Sequence, residues 1–257
     1  MTTFVLPGDV IPLPADPVDP STSQSITFGP GIGASTSKTG SEAISVATKM
    51  GPVHNTAKRR KTKDGPTEVN RLWVEVQSKR YVPAPGEDVI GIIVQKHAEG
   101  FRVDIGAAQL AQLGQFAFEG ASKKTKPRLD NGTVVHARVS LANRDMEPEI
   151  ECVDPKDGKS NGYGELKGGL MVTCSLQLCR RVLSTRMMGE IMTLWPLNTQ
   201  ITVAPAMNGR IWLNCESGIL PVIGLKRILE AIDAGEVDWE NMDALQGWVK
   251  REGIVLN

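Results

Sequence analysis

No stretch of this sequence approaches the ~18 consecutive apolar residues that a bilayer-spanning helix needs, so no membrane segment is expected. The first residues, MTTFVLPGDVIPLP, have no basic start followed by an apolar run, so no secretory leader is expected there either. Cysteine is sparse. The four residues, at 152, 174, 179 and 215, make no CxxC pair and have no His at ligand spacing. They read as free thiols of a cytosolic or nuclear protein, with no metal site and no cofactor. Net charge is missing too: 29 Lys and Arg face 29 Asp and Glu, which excludes a protein that grips nucleic acid through a global field. Aromatics make up only 5%. Catalytic signatures are also absent. There is no GxSxG, no P-loop lysine motif and no HExxH, and His54, His97 and His136 are scattered. The acidic clusters at 147–151 and 233–243 read as charged faces of strands and helices, so no enzyme is expected.

What is there is punctuation. Short apolar runs in residues 1–85 are broken by PGD, PLPADPVDP and GPGIG, which predicts strands and turns rather than helix. Residues 35–65 turn rich in Ser, Thr, Gly and Lys and hold the basic run Lys58-Arg59-Arg60-Lys61-Thr62-Lys63. About half of that stretch is expected to be a flexible insertion. The run fits a nuclear-import signal, an RNA-contacting arm or a solvated loop equally. Alternation in Arg71-Leu72-Trp73-Val74-Glu75-Val76 predicts a strand. From Gly86 the texture changes. Strands are expected at 89–95, 101–105, 115–118, 134–140 and 149–153, parted by Gly and Asn-Gly turns, which suggests a small barrel over 86–154. Residues 155–257 open on a Gly-rich link and then predict strand, helix, helix, strand, strand, helix, with Asn208-Gly209 as a hairpin signal and a last helix at 239–250. The fold expected is mainly β with an α+β C-terminal part.

The middle segment, GEDVIGIIVQKHAEGFRVDIG and then NGTVVHARV, resembles the S1 RNA-binding domain, a five-stranded OB barrel. Gly86, Val89, Gly91, Ile93, Val103, Asp104, Ile105, Gly106, Gly132, Val135, Ala137 and Val139 carry the likeness, the glycines being expected where strands bend. In that family an aromatic before the V-D-L-G run stacks on bases; here the slot holds Arg102, with Phe101 sent to the core face. Arg102 is therefore a candidate RNA contact by stacking or by phosphate pairing, or else a solvated strand residue. Lys123, Lys124, Lys126 and Arg128 form the best local cationic cluster, in a loop suited to phosphate contact or simply to solvent.

The C-terminal order resembles a type I KH domain without its clamp, because residues 184–189 hold no G-x-x-G. Ala206-Met207-Asn208-Gly209 resembles the G-x-N-G signature of the exosome cap proteins. Asn208 and Gly209 make either a plain hairpin turn or a buried joint to the neighbouring domain. Pro7-Gly8-Asp9, Gly29-Pro30-Gly31-Ile32, Lys79–Pro83 and Gly162-Tyr163-Gly164 complete a likeness, in order, to the family of S1/KH cap subunits of the RNA exosome. The resemblance implies a β-rich N-terminal domain at 1–85, the S1 barrel at 86–154 and a KH-like domain at 155–257. It implies a non-catalytic hetero-oligomer subunit that sits on a ring of other exosome subunits and guides single-stranded RNA to the central channel. It also implies a place in nucleus, nucleolus and cytoplasm. A free-standing S1/KH regulator is the alternative, predicted to bind RNA tightly alone.

Overall fold

The computed structural model describes residues 3–13, 23–36, 43–62, 65–76, 78–122, 125, 127–143, 145–183, 185–196, 199–239 and 241–253. They form two compact units, residues 1–77 and 78–257.

In the first unit, Pro and Gly place the turns. The Leu6 carbonyl accepts from the Asp9 amide at 3.0 Å, and the Asp9 carboxylate accepts from the Leu6 amide at 2.8 Å, closing the Pro7-Gly8 turn on itself. Six strands follow the chain: β1 (Phe4–Val5), β2 (Ser23–Phe28), β3 (Ile32–Thr36), β4 (Ala43–Ala47), β5 (Gly51–Thr62) and β6 (Gly65–Val74). Their sheet order is β1-β5-β6-β2, with β3-β4 as a separate hairpin. Val5, Ile11, Ala47, Leu72 and Val74 are its buried core. The Pro30 carbonyl accepts from the Val74 amide, which fixes the Gly29–Ile32 corner against β6.

Residues 35–65, about half of which are expected to be a flexible insertion between strands, contain β4 and β5 among their described residues; residues 37–42 and 63–64 lie outside the description. The basic run at 58–63 falls mostly on β5, whose backbone is paired with β6 through to Thr62↔Gly65. β5 and β6 are the inner strands of the sheet, β6 also pairing in parallel with β2 from Ser23↔Thr67 to Phe28↔Leu72, so the ladder satisfies the backbone without an apolar alternation to announce it.

The second unit begins with a barrel. Strands β7 (Asp88–Lys96), β8 (Gly100–Asp104), β9 (Ala111–Phe118), β10 (Val134–Leu141) and β11 (Glu149–Cys152) close on themselves, because β11 pairs with β9 in parallel and with β10 antiparallel. A two-residue strand, β12 (Gly164–Glu165), extends β10. This is the five-stranded OB architecture. Val89, Ile93, Phe101, Val103, Leu113, Val135 and Val139 fill it, every second residue along each strand. Gly91 holds a position of close approach rather than a bend: a Cβ there would collide with the Val103 side chain. Tyr81 is buried in the same core and donates its hydroxyl to Glu87 at 2.6 Å.

The remaining elements are β13 (Leu170–Thr173), α1 (Leu176–Val182), α2 (Thr185–Met192), β14 (Ile201–Pro205), β15 (Arg210–Cys215), α3 (Leu220–Ala234) and α4 (Met242–Arg251). The sheet runs β13-β15-β14, all antiparallel. Ser175 caps α1, accepting from the Leu178 amide at 3.1 Å. The Asp233 carboxylate of α3 accepts from the Ser175 amide at 2.8 Å and from its hydroxyl. Apolar faces of all four helices cover the sheet around Ile211, Leu213, Leu225, Ile228 and Leu229. Mainly β with an α+β C-terminal part, an S1-type barrel and a type I KH-like sheet, is therefore the observed class.

Candidate nucleic-acid interface

The barrel and the KH-like sheet are joined by one side chain at the centre and a ring of contacts around it. The loop between β14 and β15, residues 206–209, turns toward the barrel. Asn208 is buried there, at 5% exposure. Its side-chain oxygen accepts from the Ile90 amide at 3.2 Å, and its side-chain nitrogen donates to the carbonyls of Ile90 at 2.8 Å and Ile105 at 2.9 Å. A carboxamide is the neutral group that can donate twice and accept once at this point. Gly209, at φ +76°, takes the left-handed conformation that turns the chain into β15, and a Cβ on it would press the Cys174 carbonyl at 3.0 Å. The expected Asn-Gly hairpin exists, and its Asn is also the joint between domains.

Arg210 lies beside Asn208 and reaches the same edge of the barrel. Its guanidinium donates to the Asp104 carbonyl at 2.6 Å, to the Asp104 carboxylate at 2.7 Å and to the Ile90 carbonyl at 3.3 Å. The other Asp104 oxygen accepts from the Gly106 amide at 2.8 Å. Burial works to raise the Asp104 pKa, but the hydrogen bond from Arg210, the Gly106 amide and the Arg210 charge together hold it below the ordinary carboxylate value. The Asp of the V-D-I-G run thus serves the joint. Around it, Ile90, Ala206 and Trp212 form a separate buried cluster, the Met207 amide donates to the Asp88 carbonyl at 2.8 Å, and the Tyr163 hydroxyl donates to the Asp88 carboxylate at 2.7 Å. Burial and the Asp88 carboxylate push the Tyr163 phenol up, so it stays a donor. Strand β7 is therefore covered on two sides, with Val89 and Ile93 inside the barrel and Ile90 against the KH-like sheet.

The opposite wall of the barrel, β8 and β9, is open. Arg102 stands on its outer face directly across from Gln112. It is half-exposed and ion-paired with Glu147 at 3.6 Å, while Gln112 donates to the same carboxylate at 2.5 Å. Phe101 points inward, as alternation requires, at 2% exposure. His97, Glu99, Arg102 and Gln112 line a cleft of about 240 Å³ on this wall, and Lys96 lies 5.9 Å from the Phe101 ring. Phe116, near the end of β9, is 58% exposed. An exposed aromatic thus stands on the strand next to that of Arg102, within the irregular stretch of β9 between Leu113 and Phe118.

The loop from β9 to β10 spans residues 119–133. Arg128 is exposed in it, and Leu129 anchors it in the barrel core. Lys123, Lys124 and Lys126 lie outside the described residues. Ser122 and Thr125 exchange backbone hydrogen bonds at 3.2 and 3.1 Å. In the KH-like sheet only residues 183 and 184 separate α1 from α2. The segment where a KH domain clamps backbone is two residues long.

Comparison with known proteins accounts for most of the chain. Residues 81–164 match the family model for the S1 domain of exosome complex component RRP40, and residues 169–219 match a KH domain model. Exosome complex component rrp40 of Schizosaccharomyces pombe is 41% identical over 220 residues, covering 84% of this chain and 83% of the relative. Exosome complex component RRP40 of Saccharomyces cerevisiae is 32% identical over 217 residues, again 84% of this chain and 83% of the relative. A crystal structure of a protein assigned to the exosome complex as an RNA-binding protein superposes at a TM-score of 0.52 with 22% identity. It spans 68% of this chain and 97% of that one, a likeness that bears on the fold alone.

Proposed function

The chain belongs to the exosome complex component RRP40 family, and on that premise we propose that it is a non-catalytic cap subunit of an RNA exosome. In that role it stabilises a ring of other subunits and guides single-stranded RNA toward the central channel. Within the family the reading corresponds to exosome component 3, with nucleus, nucleolus and cytoplasm as its compartments. The observation that carries it is the use to which the KH-like hairpin is put. Asn208 and Arg210 bind the barrel, not a ligand, and the segment between α1 and α2 has no room for a backbone clamp. RNA contact then falls to the barrel wall, with Arg102 and Phe116 facing bases and the Lys123, Lys124, Lys126 and Arg128 loop facing phosphates. Domain limits of 1–85, 86–154 and 155–257 go with this division of labour.

Protein contact falls to the first unit. Phe4, Leu6, Val10, Leu13 and Met50 are each more than half exposed there, more apolar surface than a solitary small domain usually shows. Such a subunit has no need of a site that cuts RNA.

The test is a reconstituted complex carrying Lys123→Glu with Lys124→Glu. RNA passage should weaken while the assembly stays intact on size exclusion. Loss of assembly instead would make that loop a subunit interface and remove its RNA role.

A further inference from the structure

Two of the four cysteines meet. Cys174 follows β13 and Cys179 lies in the first turns of α1; their sulfurs are in hydrogen-bond contact at 3.3 Å. The other two are isolated from them. Cys152 is enclosed in the barrel, where burial pushes its thiol up to about 12, and Cys215 sits at the far end of β15 opposite Ile201. The meeting point is the back of the Asn208-Gly209 turn. The Cys174 amide donates to the Gly209 carbonyl at 2.9 Å. Cys174 is half-buried and Cys179 is enclosed.

We propose that Cys174 and Cys179 are a reversible dithiol–disulfide site, oxidised by hydroperoxides and restored by small thiols. A disulfide needs its sulfurs at ~2.05 Å, so closure moves them together by roughly 1 Å. The pair stands on its geometry: the two sulfurs already touch, and the half-buried Cys174 gives the site its exposure to solvent. Either sulfur can be the one oxidised, with the other as its resolving partner.

The chemistry balances. One sulfur of the pair, as thiolate, attacks one peroxide oxygen and the O–O bond breaks. The departing oxygen takes a proton and leaves as water or alcohol, and that cysteine becomes a sulfenic acid. The second sulfur then attacks the first, losing its proton. The S–O bond breaks, a water leaves with that proton and the S–S bond forms. Two electrons pass from the sulfur pair to the peroxide. Thiol exchange returns both cysteines to the reduced state. The bridge ties the entry of α1 to the end of β13, directly behind the turn that joins the two domains.

The experiment uses the full chain, reduced, treated with equimolar hydrogen peroxide, alkylated and digested with trypsin. One peptide, residues 168–180, carries both cysteines. It should lose two hydrogen masses and escape alkylation, roughly tenfold faster than Cys152 or Cys215 is modified, and dithiothreitol should reverse the change. In Cys174→Ser the Cys179 sulfenic acid has no resolving thiol and should accumulate as a dimedone adduct. A doubly alkylated 168–180 peptide alongside an oxidised Cys215 would overturn the proposal. So would equal dimedone labelling of Cys179 in wild type and Cys174→Ser. If the variant does not fold, the wild-type peptide map alone decides.

Discussion

Asn208 makes three hydrogen bonds to a neighbouring domain through one buried side chain. Asn208→Ala leaves the Ile90 amide and the Ile105 carbonyl without this partner, and the Ile90 carbonyl with Arg210 alone, at a cost of roughly 2–4 kcal/mol. Urea unfolding should register that loss. Asn208→Asp should be at least as damaging, because it sets a carboxylate oxygen against two carbonyls; a mild effect of Asp would mean the joint is not where the stability lies. Gly209→Ala should cost about 1–2 kcal/mol from its left-handed backbone alone. Asp104 adds a pH dependence. Its pKa is depressed in the folded chain, so its contribution is complete above the ordinary carboxylate value and is lost as pH falls through the lowered one. Wild-type stability should therefore drop more steeply than that of Asp104→Asn on going from neutral pH into acid, and parallel curves would contradict the ion pair with Arg210. At this scale the sequence was legible in part. Asn-Gly announces a hairpin because both residues tolerate a left-handed turn. That the Asn also reaches Ile90, more than a hundred residues away, depends on packing that no local pattern encodes.

The barrel strands follow their alternation closely: Val135, Ala137 and Val139 point inward, just as period-two reading requires. Strand β9 begins four residues earlier than its sequence announces, since Gln112 and Gly114 interrupt the apolar pattern on the outer face. Phe116 stands exposed near its end. Phe116→Ala should weaken binding of single-stranded RNA by roughly tenfold in the assembled complex, within the ~1–3 kcal/mol of one stacked base. Its effect on urea midpoint should be small, as for an exposed side chain. Unchanged RNA binding would leave the wall to Arg102 and the loop cations. Arg102 is a weaker candidate alone, because an exposed ion pair with Glu147 already occupies it at little energetic gain. The β5-β6 pair was visible in advance only at its Arg71–Val74 end. Its Ser, Thr and Lys content reads as solvated chain, and only the backbone ladder, which composition does not reveal, makes it a pair of strands.

At the scale of the molecule, two nucleic-acid folds are joined through the very turn and strand edge that carry their signatures. The KH-like part gives its hairpin to the joint, and among the described residues the β8 and β9 strands of the barrel keep Arg102 and Phe116 at the surface. On the function proposed above, such a surface would hold RNA loosely and suit a passage more than a receptor. The order of the parts was readable from motifs spread along the chain, whereas the joint between them was not, because it is made of backbone groups that every residue carries. The most direct measurement is fluorescence anisotropy of a labelled single-stranded RNA, titrated with the lone chain and with the reconstituted complex at equal salt. The expected result is weak, salt-sensitive binding by the chain alone, on the order of micromolar or weaker, tighter binding by the complex, and intact RNA after incubation with the chain. A nanomolar constant for the lone chain, or RNA products generated by it, would contradict the account.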